Sequence, residues 1–263
     1  MIHKTDGSPT SDSFVQEIGA RTGEFTNDEA TWEGYWRGVL EGRISEPPWN
    51  WDVREAAPPY LAERDAHFDL ELPLVDLGCG DGLLTRHLAQ DHQTVVGVDV
   101  SEAALERARR LNPAENVTYE RLDITDGVGA LALHGRIGDA NVHLRGVLHA
   151  IEAVDRPTAL GVLAELTGSR GRVFDIEMSP ALDEAQRQVM ERFGTLPASM
   201  AAVVDSGLRA RRMSLAELAG QYSAAGFRVL SSGETSGRSA MELPDGSFFA
   251  YPMVYVVAAR GAG

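Results

Sequence analysis

The chain has 263 residues, 43% of them apolar, enough for one sizeable core and an appendage. A formal charge of −15 repels phosphate backbones and anionic membranes, which argues against a nucleic-acid partner. No run of about 18 apolar residues is present to span a bilayer, the N-terminal MIHKTDGSPTSDSF lacks a signal peptide's apolar core, and a lone Cys79 excludes an internal disulfide, so a cytoplasmic setting is expected.

Residues 1–24 are polar and read as a flexible N-terminus. All four tryptophans, Trp32, Trp36, Trp49 and Trp51, fall in the next short piece. Asn27 or Asp28 caps a predicted helix there, with Trp32, Tyr35, Trp36 and Leu40 on one face. Pro47 and Pro48 end it, and a second helix is predicted over Ala57–Phe68. From residue 72 strands and helices alternate. LPLVDLG, TVVGVDV, NVTYERLDI, ANVHLRGV and GRVFDIEMS read as strands. GLLTRHLAQ, SEAALERARRL, a short segment near Ala130 and RPTALGVLAELT read as the helices between them. This alternation predicts right-handed crossovers and a parallel sheet covered on both faces. Residues 181–213 read as a polar helical interruption. SLAELAGQYSAAG is a further helix stopped by Gly226, and FRVLSSGETSG and FFAYPMVYVVAAR form a closing hairpin with its last strand antiparallel.

In such a sheet a ligand sits beyond the carboxyl ends of the strands. The first strand ends at Asp76 and a turn containing Gly78, Gly80 and Gly82, where bare backbone lets a ligand lie close. The second strand ends at Asp99 and the third at Asp123. A carboxylate at the second position suits a ribose cis-diol. The spacing is G-x-G-x-G, with Leu83 where a dinucleotide fingerprint has glycine, and Asp76 and Asp81 flank the turn. A ligand with a cationic end fits better than a pyrophosphate.

VDLGCGDG (75–82), VVGVDVSEAALERAR (95–109), RLDI (121–124) and VHLRGVLHAI (142–151) together resemble the class I S-adenosylmethionine (SAM)-dependent methyltransferases, over about residues 72–178. The resemblance implies an α/β, Rossmann-like, mostly parallel seven-stranded sheet with an antiparallel last strand and helices on both faces. It also implies SAM as cofactor. Asp76, Gly78 and Gly80 would hold its amino-acid portion, Asp99 both ribose hydroxyls, and Val100 the adenine face. Asp123 would accept from the adenine amino group, with Ile124 beside the ring. Asp139 stands in for the acidic residue usual near the start of the fourth strand. Arg145, at that strand's end, departs from the small or polar residue of many members and suits a carboxylate of SAM or of a substrate. The N-terminal W-x-x-x-W is similar to small-molecule members that cover their cofactor with a helix.

The expected organisation is a helical lid over 25–70 and a core over 71–263, with 181–213 an insertion over the pocket. Two covers imply a closed cavity and a small organic acceptor touched by Tyr35 and Trp36. His149, just after the fourth strand, is the first choice as general base, since imidazole titrates near neutral pH. Its alternative is a helix cap or packing under the cofactor. Glu177, at the end of the fifth strand, is the second choice, with a solvated strand end or a partner for Arg145 as its alternative. His143 reads as buried or structural, Cys79 as a small filler, and the basic 209–212 as a solvated helix end. The other histidines form no metal spacing. No Asn-Pro-Pro-Tyr signature of N-methylation lies near strand four, so the expected reaction is methyl transfer to an oxygen of a specialised metabolite. N-, S- or C-methylation, SAM binding without transfer, and a nicotinamide oxidoreductase stay as alternatives. A homodimer is one option for assembly.

Overall fold

The computed structural model describes residues 28–50, 60–195, 197–208 and 211–261. The expected flexible N-terminus, Asn27, Trp51 and the start of the Ala57–Phe68 helix lie outside these residues. The sheet order is β3-β2-β1-β4-β5-β7-β6. Its strands are β1 (Leu74–Leu77), β2 (Val95–Asp99), β3 (Val117–Arg121), β4 (Asn141–Arg145), β5 (Val173–Met178), β6 (Phe227–Glu242) and β7 (Phe248–Arg260). The first five are parallel, and β7 runs antiparallel between β5 and β6. The order reverses beside β1, which opens a crevice at the carboxyl ends of β1 and β4.

Period-two alternation divides the strand side chains between two layers. Val75, Leu77, Val96, Val98, Val142, Leu144 and Val173 share one apolar cluster with α5 (Gly127–Ile137), α6 (Arg156–Thr167) and α9 (Leu215–Ala224). Leu74, Val95, Phe174, Ile176 and Tyr255 share the other with α2 (Tyr60–Asp65), α3 (Leu83–Leu88), α7 (Ala181–Phe193) and α8 (Ala198–Asp205). A third cluster joins α1 (Glu29–Leu40) to α4 (Glu102–Leu111), through Tyr35, Trp36, Val39, Ala103, Ala104 and Leu208.

Local signals explain where the helices begin. Asp28 caps α1 by accepting from Thr31 N, Ser101 caps α4 from Ala104 N, and Ser214 caps α9 from Glu217 N. Two elements differ from the sequence reading. The described part of the second helix is short, Tyr60–Asp65. β6 continues past Gly237 to Glu242, because β7 supplies hydrogen-bonding partners for a stretch with no apolar alternation of its own. β5 stops at the pair Met178–Met253, whereas β6 and β7 stay paired out to Glu242–Phe248. The outer hairpin is therefore a two-stranded arm. Its Met241, Phe249 and Tyr251 are buried in the cluster that contains Leu182, Val189 and Met200 of α7 and α8.

Asp139 does not face the carboxyl edge. It accepts from Ser169 N and Arg170 N, and from His134, and so ties the end of α5 to the turn after α6. The His134 contact, the largest cause, and those backbone donors hold its carboxyl low, at about 2. Among the described residues no helix is long and apolar enough to cross a membrane.

Candidate active site

The glycine turn joins β1 to α3. Gly78 and Gly80 adopt φ of +74° and +54°, which L side chains rarely adopt. A Cβ on Gly78 would lie 2.5 Å from Val147 after β4, and one on Gly80 would lie 2.9 Å from the ring of Trp36. The bareness thus serves close packing of the chain itself as well as any ligand. The turn is tied to the end of β2, because Gly80 N donates to Asp99 Oδ2 at 2.9 Å while Ser101 N donates to Oδ1 at 2.9 Å. Each Asp99 oxygen keeps further accepting capacity. Burial, aided by the nearby Asp76, pushes this carboxyl up to about 6 against its backbone donors. Asp76 sits one strand away, with Thr85 Oγ1 donating to it at 2.5 Å and His143 Nδ1 3.1 Å from its other oxygen. His143 is fully buried, as expected, and burial lowers its pKa. Cys79 is buried too, and burial followed by Asp99, Asp76 and Asp81 raises its thiol well above the ordinary range. It remains a protonated filler.

α1 closes over this turn. Its Glu33 accepts from Ser101 Oγ at 2.7 Å and Ala103 N at 3.0 Å, at the start of α4. Glu29 meets Arg121 at 2.6 Å. Further on, Glu46 takes both contacts from Arg107 Nη2, at 2.6 and 2.7 Å, and Asn50 donates to Asp81 at 2.9 Å. Tyr35, Trp36 and Trp49 pack ring against ring, with centroids 5.4–6.1 Å apart. The Tyr35 hydroxyl is buried with no partner among the described residues. Sequence reasoning found the aromatic face and placed Asp81 beside the turn, but missed Glu33, Glu46 and Arg107. Their spacing carries no local signal, since each partner comes from another element. Glu33→Ala is expected to release α1, seen as faster amide exchange over 29–40 with β1–β5 unchanged. Unchanged exchange over 29–40 would show that the aromatic cluster holds α1 alone.

On the opposite layer, the turn after β4 contains a single 3-10 turn, Leu148–Ala150. Glu177 reaches its start. Oε1 accepts from Val147 N at 3.0 Å and Leu148 N at 2.8 Å, and Oε2 from His149 N at 3.2 Å and from His149 Nδ1. The two residues singled out separately as base candidates are one pair. Glu177 is fully buried on the other face of the sheet from Arg145, so neither a solvated strand end nor a partner for Arg145 describes it. Its burial opposes ionisation, but His149, Asp175 and the backbone donors outweigh it and hold the carboxyl low.

Arg145 is half-buried at the carboxyl end of β4, and its side chain has no hydrogen-bonded or ion-paired partner among the described residues. Asp123 lies just after β3, one oxygen accepting from Thr125 N and Oγ1 at 2.7 Å, with Ile124 buried beside it. Val100 follows Asp99 and accepts from Arg121 through its carbonyl. The carboxyl ends of β1, β2 and β3 thus gather Asp76, Asp99, Val100, Asp123 and Ile124 along one edge. Among the described residues no group of three or more His, Cys, Asp or Glu side chains is arranged to hold a metal.

Residues 74–171 match a family model described as a methyltransferase domain. The crystal structure of a SAM-dependent methyltransferase from Anabaena variabilis ATCC 29413 is 31% identical, with a TM-score of 0.81 over 88% of this chain and 94% of that one. The chain belongs to the SAM-dependent methyltransferases. The carboxy-S-adenosyl-L-methionine synthase of Stutzerimonas stutzeri (strain A1501) is 31% identical to this methyltransferase over 123 residues, 44% of this chain and 49% of that protein. The methyltransferase thus spans about half the length of that curated relative. A SAM-dependent methyltransferase from Mesorhizobium loti shares the fold at 18% identity and a TM-score of 0.53, over 78% of this chain and 99% of that one.

The cofactor of this methyltransferase is SAM, and the crevice fits it. The acids around the glycine turn, Asp76, Asp81 and Asp99, suit a ligand with a sulfonium and an ammonium. Asp99 offers a diol one accepting position on each oxygen, both already aimed by backbone donors.

Proposed function

We propose that this methyltransferase transfers a methyl group to an oxygen of a small organic acceptor in specialised metabolism, with His149 as general base. The observation that carries this reading is the contact between His149 Nδ1 and Glu177. An imidazole paired in this way keeps its proton on Nδ1 and offers Nε2 as the acceptor. SAM supplies a methyl carbon activated by its sulfonium. Nε2 takes the proton of the acceptor hydroxyl, and Glu177 stabilises the imidazolium. A carboxylate or phenolate attacks without losing a proton, so a base favours an alcohol-type hydroxyl.

In this reading Asp99 binds the ribose hydroxyls, Val100 packs on the adenine, and Asp123 and Ile124 meet its amino edge. Gly78 and Gly80 let the amino-acid end lie against the turn. Asp76 contributes charge there, since Thr85 and His143 already engage its oxygens. Arg145 binds a carboxylate, of SAM or of the acceptor. Tyr35 and Trp36 contact the acceptor, and the segments 25–70 and 181–213 shut the cavity against water, which is where the alignment of the reacting atoms is gained. A cytoplasmic enzyme acting on small molecules follows from the same reading.

The test is incubation with SAM and a panel of hydroxy acids, phenols and alcohols, with S-adenosylhomocysteine measured by mass spectrometry. Acceptor-dependent S-adenosylhomocysteine that H149Q abolishes is the expected result. Turnover on amines or thiols alone overturns oxygen transfer. A second reading has the chain modify SAM without transferring its methyl group. The unpaired Arg145 and the name of the Stutzerimonas relative favour it. SAM consumed into a heavier derivative, with no S-adenosylhomocysteine, would decide for it.

A further inference from the structure

Asp175 and Glu177 stand two residues apart on β5, point to the same layer and are both fully buried. Glu177 accepts from three backbone N–H groups and from His149. A carboxyl with four donors and no acceptor is ionised. Among the described residues Asp175 has one donor, Tyr222 Oη, 2.9 Å from Oδ2, and its Oδ1 has none. The groups facing it are few. From its own strand there is Glu177, and from the turn after β4 there is His149. From α9 come Tyr222 and Glu217, and from α6 Arg156, whose guanidinium is spent on the Leu148 carbonyl and Glu217. Its strand partners are Leu144 and Val256. Among the described residues no cation touches Asp175, and a second negative charge beside Glu177 in this dry layer would be costly. A proton resolves both problems, because the orphaned oxygen becomes a donor and the nearby acceptor is Glu177.

We propose that Asp175 is a positioning residue that stays a neutral carboxylic acid, held by Tyr222 and donating its proton to Glu177, so that Glu177 is fixed as the acceptor of His149 Nδ1–H. Burial, then the charge of Glu177, push the Asp175 carboxyl well up, in agreement with the geometry. The proton does not move during the reaction. It keeps the pair at one negative charge and selects the tautomer with Nε2 free. Its bearing on catalysis rests on His149 being the base, but its structural content does not.

Two spectroscopic measurements on the full chain test it. Infrared spectra at pH 7 are expected to show a protonated-carboxyl C=O band that D175N removes. The ¹⁵N spectrum of His149, assigned with H149Q, is expected to show the Nδ1–H tautomer in the wild type and in D175N, whose amide still donates, and a mixture of tautomers in D175V. Identical carboxyl regions in wild type and D175N overturn the proposal, and so does an unchanged tautomer in folded D175V. Should D175V fail to fold, the infrared comparison decides alone. If H149Q retains activity while both spectra behave as expected, the base assignment fails and the protonated Asp175 stands.

Discussion

Replacing His149 with glutamine is expected to lower kcat for methyl transfer by about 10²- to 10⁴-fold, the usual worth of a positioned general base. SAM affinity should stay close to that of the wild type. The split between the two follows from position. His149 lies after β4, and its Nδ1 is committed to Glu177, whereas the groups proposed to bind the nucleoside lie at the ends of β2 and β3. Glutamine at 149 keeps a donor for Glu177 but has no nitrogen to accept a proton. Single-turnover rates of the two proteins, with SAM affinity from calorimetry, make the comparison. Equal rates would remove His149 as base. A loss confined to SAM affinity would mean that it packs under the cofactor. Glu177→Gln tests the pair from the other side. It leaves the backbone donors in place but removes the charge that steadies an imidazolium, so kcat should fall again with SAM affinity unchanged.

Asp99→Ala is expected to weaken SAM binding by about 1.5–3 kcal/mol, the range for hydrogen bonds to a charged group, which is roughly tenfold or more in Kd. The same carboxyl gives a pH signature. Its pKa of about 6, set chiefly by burial, means that it is part-protonated in mildly acidic solution before ligand arrives. A protonated Asp99 loses an accepting position needed by the diol, so SAM affinity should fall as pH drops below about 6. Asp99→Asn should bind weakly with that limb of the profile gone. The consequence for folding has the opposite sign. A carboxyl raised by the fold adds stability below its unfolded value of about 3.9. That contribution is lost as pH rises through about 6. Thermal unfolding of D99N and wild type between pH 4 and 7 measures it. A wild-type SAM affinity that does not change from pH 7 to pH 5 would show that Asp99 does not bind the ribose.

The parallel strands were legible because buried strands read as unbroken apolar runs closed by Asp or Gly. LVDL and VVGVD are buried along their whole length, and VFDIEM in all but its last residue. Helix starts were legible where Ser or Asp precedes an apolar period, as at Asp28, Ser101 and Ser214. The outer half of β6 was not, because SGRSAME has no apolar alternation and owes its extension to β7. Within the site, the order of Asp76, Asp99 and Asp123 could be read, since strand ends can be read. The pairing of His149 with Glu177 could not, because residues 28 apart meet only through the register of β4 with β5. The alternation of Asp175 and Glu177 in a strand otherwise apolar was a visible signal, since two carboxyls on one buried face require a shared proton or a cation. Glu33 and Arg107 carried no such mark, for each lies on a helix whose polar face looks solvated until another element docks on it.

The arm formed by the ends of β6 and β7 has a dynamic consequence. β7 is hydrogen-bonded on both sides as far as Pro252, whose carbonyl accepts from Ser179 N at 3.1 Å, and beyond it, among the described residues, it pairs with β6 alone. Further support comes from the packing of Met241, Phe249 and Tyr251 in the cluster with α7 and α8, and from the exposed ion pair of Arg192 on α7 with Asp245 in the hairpin turn at 2.8 Å. Opening therefore costs less at the tip than in the sheet, and the tip can breathe as a local unit while the central strands stay closed. The tip is thus a flap beside α7 and α8 that swings on the last full rung of the sheet.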